Sequence, residues 1–205
     1  MKNYKFTEEW FTNDGLSVLN NLDPTKEIHI LEIGCFEGKS TIWFLDNILQ
    51  NDKSTITCVD PWTNFSQDNN SLNSYFKDNA EWLLSERKTK EMFLHNINES
   101  TNANKVIVRE GLSNKVLPFL ITEGKMYDII FIDGNHTAPY VMMDAIMSWE
   151  LLNDNGIIIF DDYLWEMSRP TNLRPKESVD YFMLTFSDYI TELHSNYRKI
   201  IKKIK

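Results

Sequence analysis

Residues 28–41 read IHILEIGCFEGKST, and no other stretch restricts the fold as strongly. An apolar run ends on an acid, Glu32. Two glycines follow, Gly34 and Gly38, and Ser40-Thr41 then opens a helical pattern. A buried strand that passes through a glycine turn into a helix N-terminus is the cofactor-binding corner of a parallel α/β sheet. Glycine is scarce, with seven in 205 residues, so its placement beside strand ends points to tight turns or close backbone approach.

The remaining pattern repeats that unit. Strands are expected at 28–33, 54–59, 106–108, 127–132 and 157–160. Helices are expected at 40–49, at 113–121 with Ser113 as cap, at 137–152 with Thr137 as cap and Pro139 in its first turn, and at 176–186. Segments 190–193 and 199–204 pair as a closing hairpin. The basic tail, 198–205, reads as a solvated edge strand protected by lysines. One or two short helices are expected within 6–22, making residues 1–26 a helical cover. A polar excursion, 63–104, carries helical patterns at 72–84 and 90–97. A second, at 166–175, holds two prolines and two arginines. Strand and helix alternate five times before an α-β-β ending, which gives one domain, 1–205. Its expected form is an open, mostly parallel α/β sheet with an antiparallel end.

Composition excludes several classes. The formal charge of −9 opposes a polyanionic partner, so no nucleic acid is expected. No apolar run reaches membrane-spanning length, so no membrane partner is expected. The N-terminus, MKNYKFTEEWF, lacks the apolar segment of a signal peptide, and a cytoplasmic protein with reduced thiols at Cys35 and Cys58 is the expectation.

Ligands of such sheets bind beyond the carboxyl ends of the strands. There the sequence puts Glu32, Asp60, Glu110-Gly111, Asp133 to His136, and Asp161-Asp162. Acids close or follow all five strands, which a shared site explains better than chance. The first turn is not GxGxxG. Glu32 stands where a dinucleotide fingerprint begins and would repel a pyrophosphate, so a cationic cofactor is favoured. Asp60 is placed to accept hydrogen bonds from ribose hydroxyls, and Trp62 either covers an adenine or packs in the core.

The ordered set Glu32-Ile-Gly34-Cys-Phe-Glu-Gly38-Lys-Ser40-Thr41, Val59-Asp60-Pro61-Trp62, FIDGNH and GIIIFDDY resembles the class I S-adenosylmethionine-dependent methyltransferases, in their catechol-type and macrocin-type small-molecule O-methyltransferase branch. The resemblance spans residues 28–163. It implies a Rossmann-like, seven-stranded, mostly parallel sheet with an antiparallel C-terminal hairpin and helices on both faces. It also implies that the turn of Glu32, Gly34, Cys35, Phe36, Gly38, Ser40 and Thr41 holds the methionine end of S-adenosylmethionine. Asp60, with Pro61 and Trp62, would hold the ribose, and Gly111, Leu112 and Ser113 would lie by the adenine, with Asp133 beside the cofactor.

Asp133, Asp161 and Asp162 close two strands expected to be adjacent. Three converging carboxylates repel one another unless a cation intervenes, so a divalent ion, Mg²⁺ above all, is expected among them. His136 stands where the catechol-type branch has lysine. It reads either as a general base acting with Asp133 or as a helix-entry histidine that bonds the cofactor or backbone.

The expected activity is methyl transfer from S-adenosylmethionine to a hydroxyl of a small sugar or phenol-like acceptor. The two excursions would form the acceptor pocket, with Trp165, Arg169 and Arg174 as candidate contacts. A homodimer is an open alternative to a monomer. Competing expectations are a metal-independent N- or macromolecule methyltransferase, and a cofactor-binding protein whose catalysis has lapsed.

Overall fold

The computed structural model describes residues 2–62 and 88–204. Among them run β1 (His29–Ile33), α1 (Lys39–Asn47), β2 (Thr55–Asp60), α2 (Thr89–Glu99), β3 (Val106–Glu110), α3 (Ser113–Thr122), β4 (Tyr127–Ile132), α4 (Ala138–Leu151), β5 (Leu152–Phe160), α5 (Lys176–Thr185), β6 (Ile190–Ser195) and β7 (Lys199–Lys203). The expected helix at 72–84 lies outside the described residues. The strands form one sheet in the order β3-β2-β1-β4-β5-β7-β6. The first five are mutually parallel; β7 runs antiparallel to both β5 and β6.

Strand alternation divides the apolar residues between two layers. In one layer Ile30, Ile129, Ile157 and Ile200 meet Phe44 and Leu45 of α1, Phe93 and Ile97 of α2, and Leu16 and Leu19. In the other, Leu31, Ile130, Ile158 and Ile201 meet Leu117 and Leu120 of α3, Val141 and Ala145 of α4, and Val179 and Phe182 of α5. Register keeps these sets aligned: Ile30 lies beside Ile129, and Ile129 beside Ile157. A one-residue slip would exchange the two layers' side chains, so the central register is strongly specified. No helix among the described residues is long and apolar enough to cross a membrane.

Three expectations need correction. Of the one or two short helices expected within 6–22 one forms, but residues 2–26 are not a helical cover. Only a 3-10 helix, Leu16–Asn21, forms, and the segment before it is a strap tied by side chains. Lys5 exchanges backbone hydrogen bonds with the Asn96 side chain at 2.7 and 2.8 Å. Thr7 donates from its amide and hydroxyl to Glu37, both at 2.7 Å. Secondly, the basic tail is not an edge strand. β7 is enclosed between β5 and β6 with Ile200 and Ile201 fully buried, because the hairpin folds β6 to the outside. Thirdly, Ser113 does not cap α3, while Thr137 does stand at the N-cap of α4 but without a hydroxyl bond to the helix. Leu112, not Ser113, precedes α3, and the Thr137 hydroxyl donates to Asn135 at 2.8 Å.

Candidate functional site

The strand order reverses at β1, which has β2 on one side and β4 on the other. The crevice beyond the carboxyl ends of these strands is the topological switch point. Gly34 makes the crevice tight. Its φ is +85°, and a Cβ there would lie 2.0 Å from the Asp133 carbonyl oxygen. The turn therefore runs against the loop after β4, and only glycine satisfies both the angle and the contact. Gly38, at φ +83°, ends the turn and leads into α1.

Asp60 is the hub of this turn. One carboxylate oxygen accepts the amides of Cys35 and Phe36 at 2.8 and 3.0 Å, and the other accepts the amide of Trp62 at 2.7 Å. Burial raises its pKa, while these amide bonds work to lower it. Pro61 follows, and the Trp62 indole N–H donates to the Phe36 carbonyl at 2.8 Å. The Trp62 ring lies 4.8 Å from Phe93, so this tryptophan packs and latches the turn. Opposite, Gly111 donates its amide to the Asp60 carbonyl at 3.0 Å, which ties the Gly111-Leu112-Ser113 segment to the same crevice. Asp144 on α4 is buried nearby, and burial pushes its carboxyl up to about 7.

Glu32 sits differently from its expected place. Its carboxylate is fully buried beneath the turn, where it accepts the hydroxyls of Ser40 and Thr41 and the thiol of Cys58. The cause is strand alternation: Glu32 shares its face with Ile30, toward α1, and cannot turn outward. Burial pushes its pKa up to about 7, against the hydrogen bonds of Ser40 and Thr41. Glu32 thus anchors the N-terminus of α1. The acids bordering the crevice are Asp60 and Asp133. Cys35 and Cys58 are free, buried thiols, both pushed up by burial.

The acids after β4 and β5 divide into two groups. Asp133, His136 and Asp162 converge, with one ligand atom from each lying within 4.8 Å of the others. The His136 Nε2 stands 3.3 Å from Asp133 and 3.2 Å from Asp162. All three side chains remain partly open to solvent. Burial and the charge of Asp161 push the Asp133 carboxyl well above the ordinary range. Burial works to lower His136, but the hydrogen bond to Asp133 and the charge of Asp162 raise it overall.

Asp161 does not join them, which corrects the expected set of three aspartates. It forms a buried ion pair with Arg198, whose guanidinium also donates to the carbonyls of Thr12 and Asp14 at 2.6 and 3.2 Å. That guanidinium lies over the rings of Phe11 and Phe131 at 5.0 and 5.7 Å. A carboxylate so engaged has little to offer a cation. Arg198 escaped sequence reading because it stands in a basic tail, 37 residues beyond its partner.

The loop after β5 covers the open cluster. Trp165 meets the His136 ring edge-on at 4.9 Å, and Arg169 lies over Trp165 at 4.1 Å while facing Glu166. Arg174 instead bonds Glu177 in the first turn of α5 and the Met167 carbonyl of its own loop.

Comparison with known proteins agrees with this architecture. A sequence model described as a methyltransferase domain matches residues 31–163. An uncharacterized protein of Acanthamoeba polyphaga mimivirus is 30% identical over 150 residues; the match takes in 71% of this chain and 58% of that protein, so the chain spans little more than half its relative. Among solved structures, the chain is similar to the O-methyltransferase of Bacillus cereus in complex with SAH. There the TM-score is 0.65 at 16% identity, covering 97% of this chain and 84% of that one. It is also similar to the O-methyltransferase TomG of Streptomyces achromogenes, involved in tomaymycin synthesis and solved with SAM. That TM-score is 0.64 at 15% identity, covering 93% and 78% of the two chains. At these identities the structural likeness speaks for the fold, and the matched domain speaks for the family. The glycine turn, the Asp60 hub and the acids closing β4 and β5 all fall within that matched span, and the chain belongs to the methyltransferase domain family, with the class I S-adenosylmethionine-dependent fold.

Proposed function

We propose that the chain moves a methyl group from S-adenosylmethionine to a hydroxyl of a small molecule, such as a sugar or phenol, with help from a divalent cation. The observation that carries this reading is the convergence of Asp133, His136 and Asp162 beside the Gly34 turn. The residues fit both groups. Lys39, the cation nearest the turn in sequence, is paired with Glu9, whereas Asp60 and Asp133 border the crevice. That favours an ammonium and a sulfonium over a phosphate. Two carboxylates and an imidazole are a donor set for Mg²⁺ or Mn²⁺, and Asp133 is driven toward its protonated form without one.

When bound, S-adenosylmethionine supplies an electrophilic methyl group and the cation acidifies an acceptor hydroxyl. The residues present would hold both groups, the Gly34 turn with Asp60 the cofactor and Asp133, His136 and Asp162 the cation, and the acidified hydroxyl would release its proton to solvent. The chain's part is alignment. Asp60 keeps the turn in shape and retains lone pairs for ribose hydroxyls. Asp133 and Asp162 hold the cation. His136 completes that set rather than acting as a free base, because Nε2 faces both carboxylates. Trp165 and Arg169 wall the acceptor side.

The test is release of S-adenosylhomocysteine from panels of phenols and sugars. Turnover with Mg²⁺ should vanish after EDTA, return on adding Mg²⁺, and fall at least about 100-fold in His136→Ala. Turnover that survives both EDTA and His136→Ala would refute cation assistance. No binding of S-adenosylhomocysteine would refute the whole reading.

A further inference from the structure

A second set of ligand atoms converges beneath the glycine turn. Glu32, Cys35 and Cys58 each offer one donor, and the three donors lie within 4.8 Å of one another. The Cys58 Sγ stands 3.6 Å from the Glu32 Oε2. A tetrahedral zinc ion holds a thiolate at about 2.3 Å and a carboxylate oxygen at about 2.0–2.2 Å, which sets the two donors roughly 3.5 Å apart. The observed spacing matches one edge of that tetrahedron. None of the three residues is more than 2% exposed.

The backbone itself brings these donors together. Glu32 and Cys58 are direct neighbours in the parallel register of β1 and β2, so their side chains leave the sheet on the same face. Cys35 follows in the turn, and its Sγ lies 3.8 Å from the Glu32 carbonyl oxygen and 3.7 Å from that of Val59. The Thr41 Oγ1, 4.0 Å from the Cys58 Sγ, borders a fourth position. The Ser40 hydroxyl bonds the other oxygen of Glu32 and fixes how that carboxylate is turned.

We propose that Glu32, Cys35 and Cys58 form a structural site for a thiophilic divalent cation, zinc above all, beneath the glycine turn. Two thiolates select such an ion over the oxygen-seeking Mg²⁺. On binding, both thiols give up their protons to solvent and Glu32 coordinates as the carboxylate. Burial favours the protonated form of all three groups, so retention of zinc weakens as the pH falls. The site is separate from the Asp133, His136 and Asp162 cluster. That cluster is partly open to solvent and exchanges its ion freely, whereas the enclosed ion leaves only when the turn opens.

Cys35 and Cys58 are the only cysteines in the sequence, so any thiolate–metal signal has a single source. The full chain is produced in cells supplied with Zn²⁺ or Cd²⁺, so that it loads while folding, and is passed briefly through EDTA. Metal content is read by mass spectrometry, and the cadmium form by its ultraviolet thiolate-to-metal charge-transfer band. We expect about one ion per chain and a clear band. Cys35→Ser and Cys58→Ser should each lose the ion, and His136→Ala should retain it. A cadmium form without the band would overturn the proposal, whatever its metal content. So would wild-type metal content in the two serine variants, or its loss in His136→Ala alone. Should the serine variants fold poorly, the wild-type band decides the matter by its presence or absence.

Discussion

Replacing Arg198 by methionine tests how the second acid is kept out of the site. Arg198 is 2% exposed and Asp161 10% exposed by side chain, so their ion pair is shielded from water. Methionine keeps the apolar stem against Phe11 and Phe131 but removes the charge and the donors to Thr12 and Asp14. The orphaned carboxylate then has two courses. It stays ionised without a partner, which costs about 3–5 kcal/mol, or it takes up a proton, which costs less as the pH falls. Burial already raises the Asp161 pKa, and Arg198 works against that rise, so its removal leaves burial unopposed. We therefore expect Arg198→Met to be destabilised by roughly 3–5 kcal/mol near pH 8, with a smaller loss near pH 5. For a chain of this size that lowers the melting temperature by about 6–20 °C. Urea unfolding at several pH values measures it. The double variant Arg198→Met, Asp161→Asn should recover most of the loss, since a neutral pair leaves no buried charge. A single variant that loses under about 1 kcal/mol, or a double variant no better than the single, would refute the reasoning.

Other consequences follow from burial and close approach. Glu32, at about 7 in the fold, is raised by burial from 4.5. Its protonated form therefore stabilises the fold fully below pH 4.5, and that contribution is lost as pH rises toward 7. Glu32→Gln should flatten this slope and gain up to roughly 3 kcal/mol at pH 8; unfolding curves that keep the wild-type slope would exclude Glu32 as its source. Gly34→Ala would drive a Cβ into the Asp133 backbone at a positive φ. It should cost at least about 2 kcal/mol and abolish S-adenosylhomocysteine binding by calorimetry; binding at wild-type affinity would show that the turn yields.

Much of this arrangement was legible in the sequence because it is written locally. The boundaries of β4 stand where its nearly continuous apolar run predicts them, 127–132, and the β1–turn–α1 unit follows from strand, glycine and helix signals in immediate succession. Acids at the strand ends were visible for the same reason. What stayed hidden depends on partners far along the chain. Nothing local says that Asp161 faces an arginine in the final hairpin, or that Thr7 reaches Glu37. Glu32 shows a second kind of opacity. A residue near a strand's end still obeys strand alternation, so its position at the crevice edge did not mean that its side chain faces the crevice.

The Arg198 contacts also bear on how the protein is made. Its guanidinium and amide hold Thr12 and Asp14, residues at least 184 positions away. Bringing such distant segments together is entropically costly and slow, so these bonds form late in folding. During synthesis the first strands and the glycine turn leave the ribosome long before the hairpin does. Until then Asp161 lacks its counter-charge and the N-terminal strap lacks its anchor. A nascent chain can therefore assemble the glycine turn well before Asp161 gains its buried partner and the N-terminal strap its anchor.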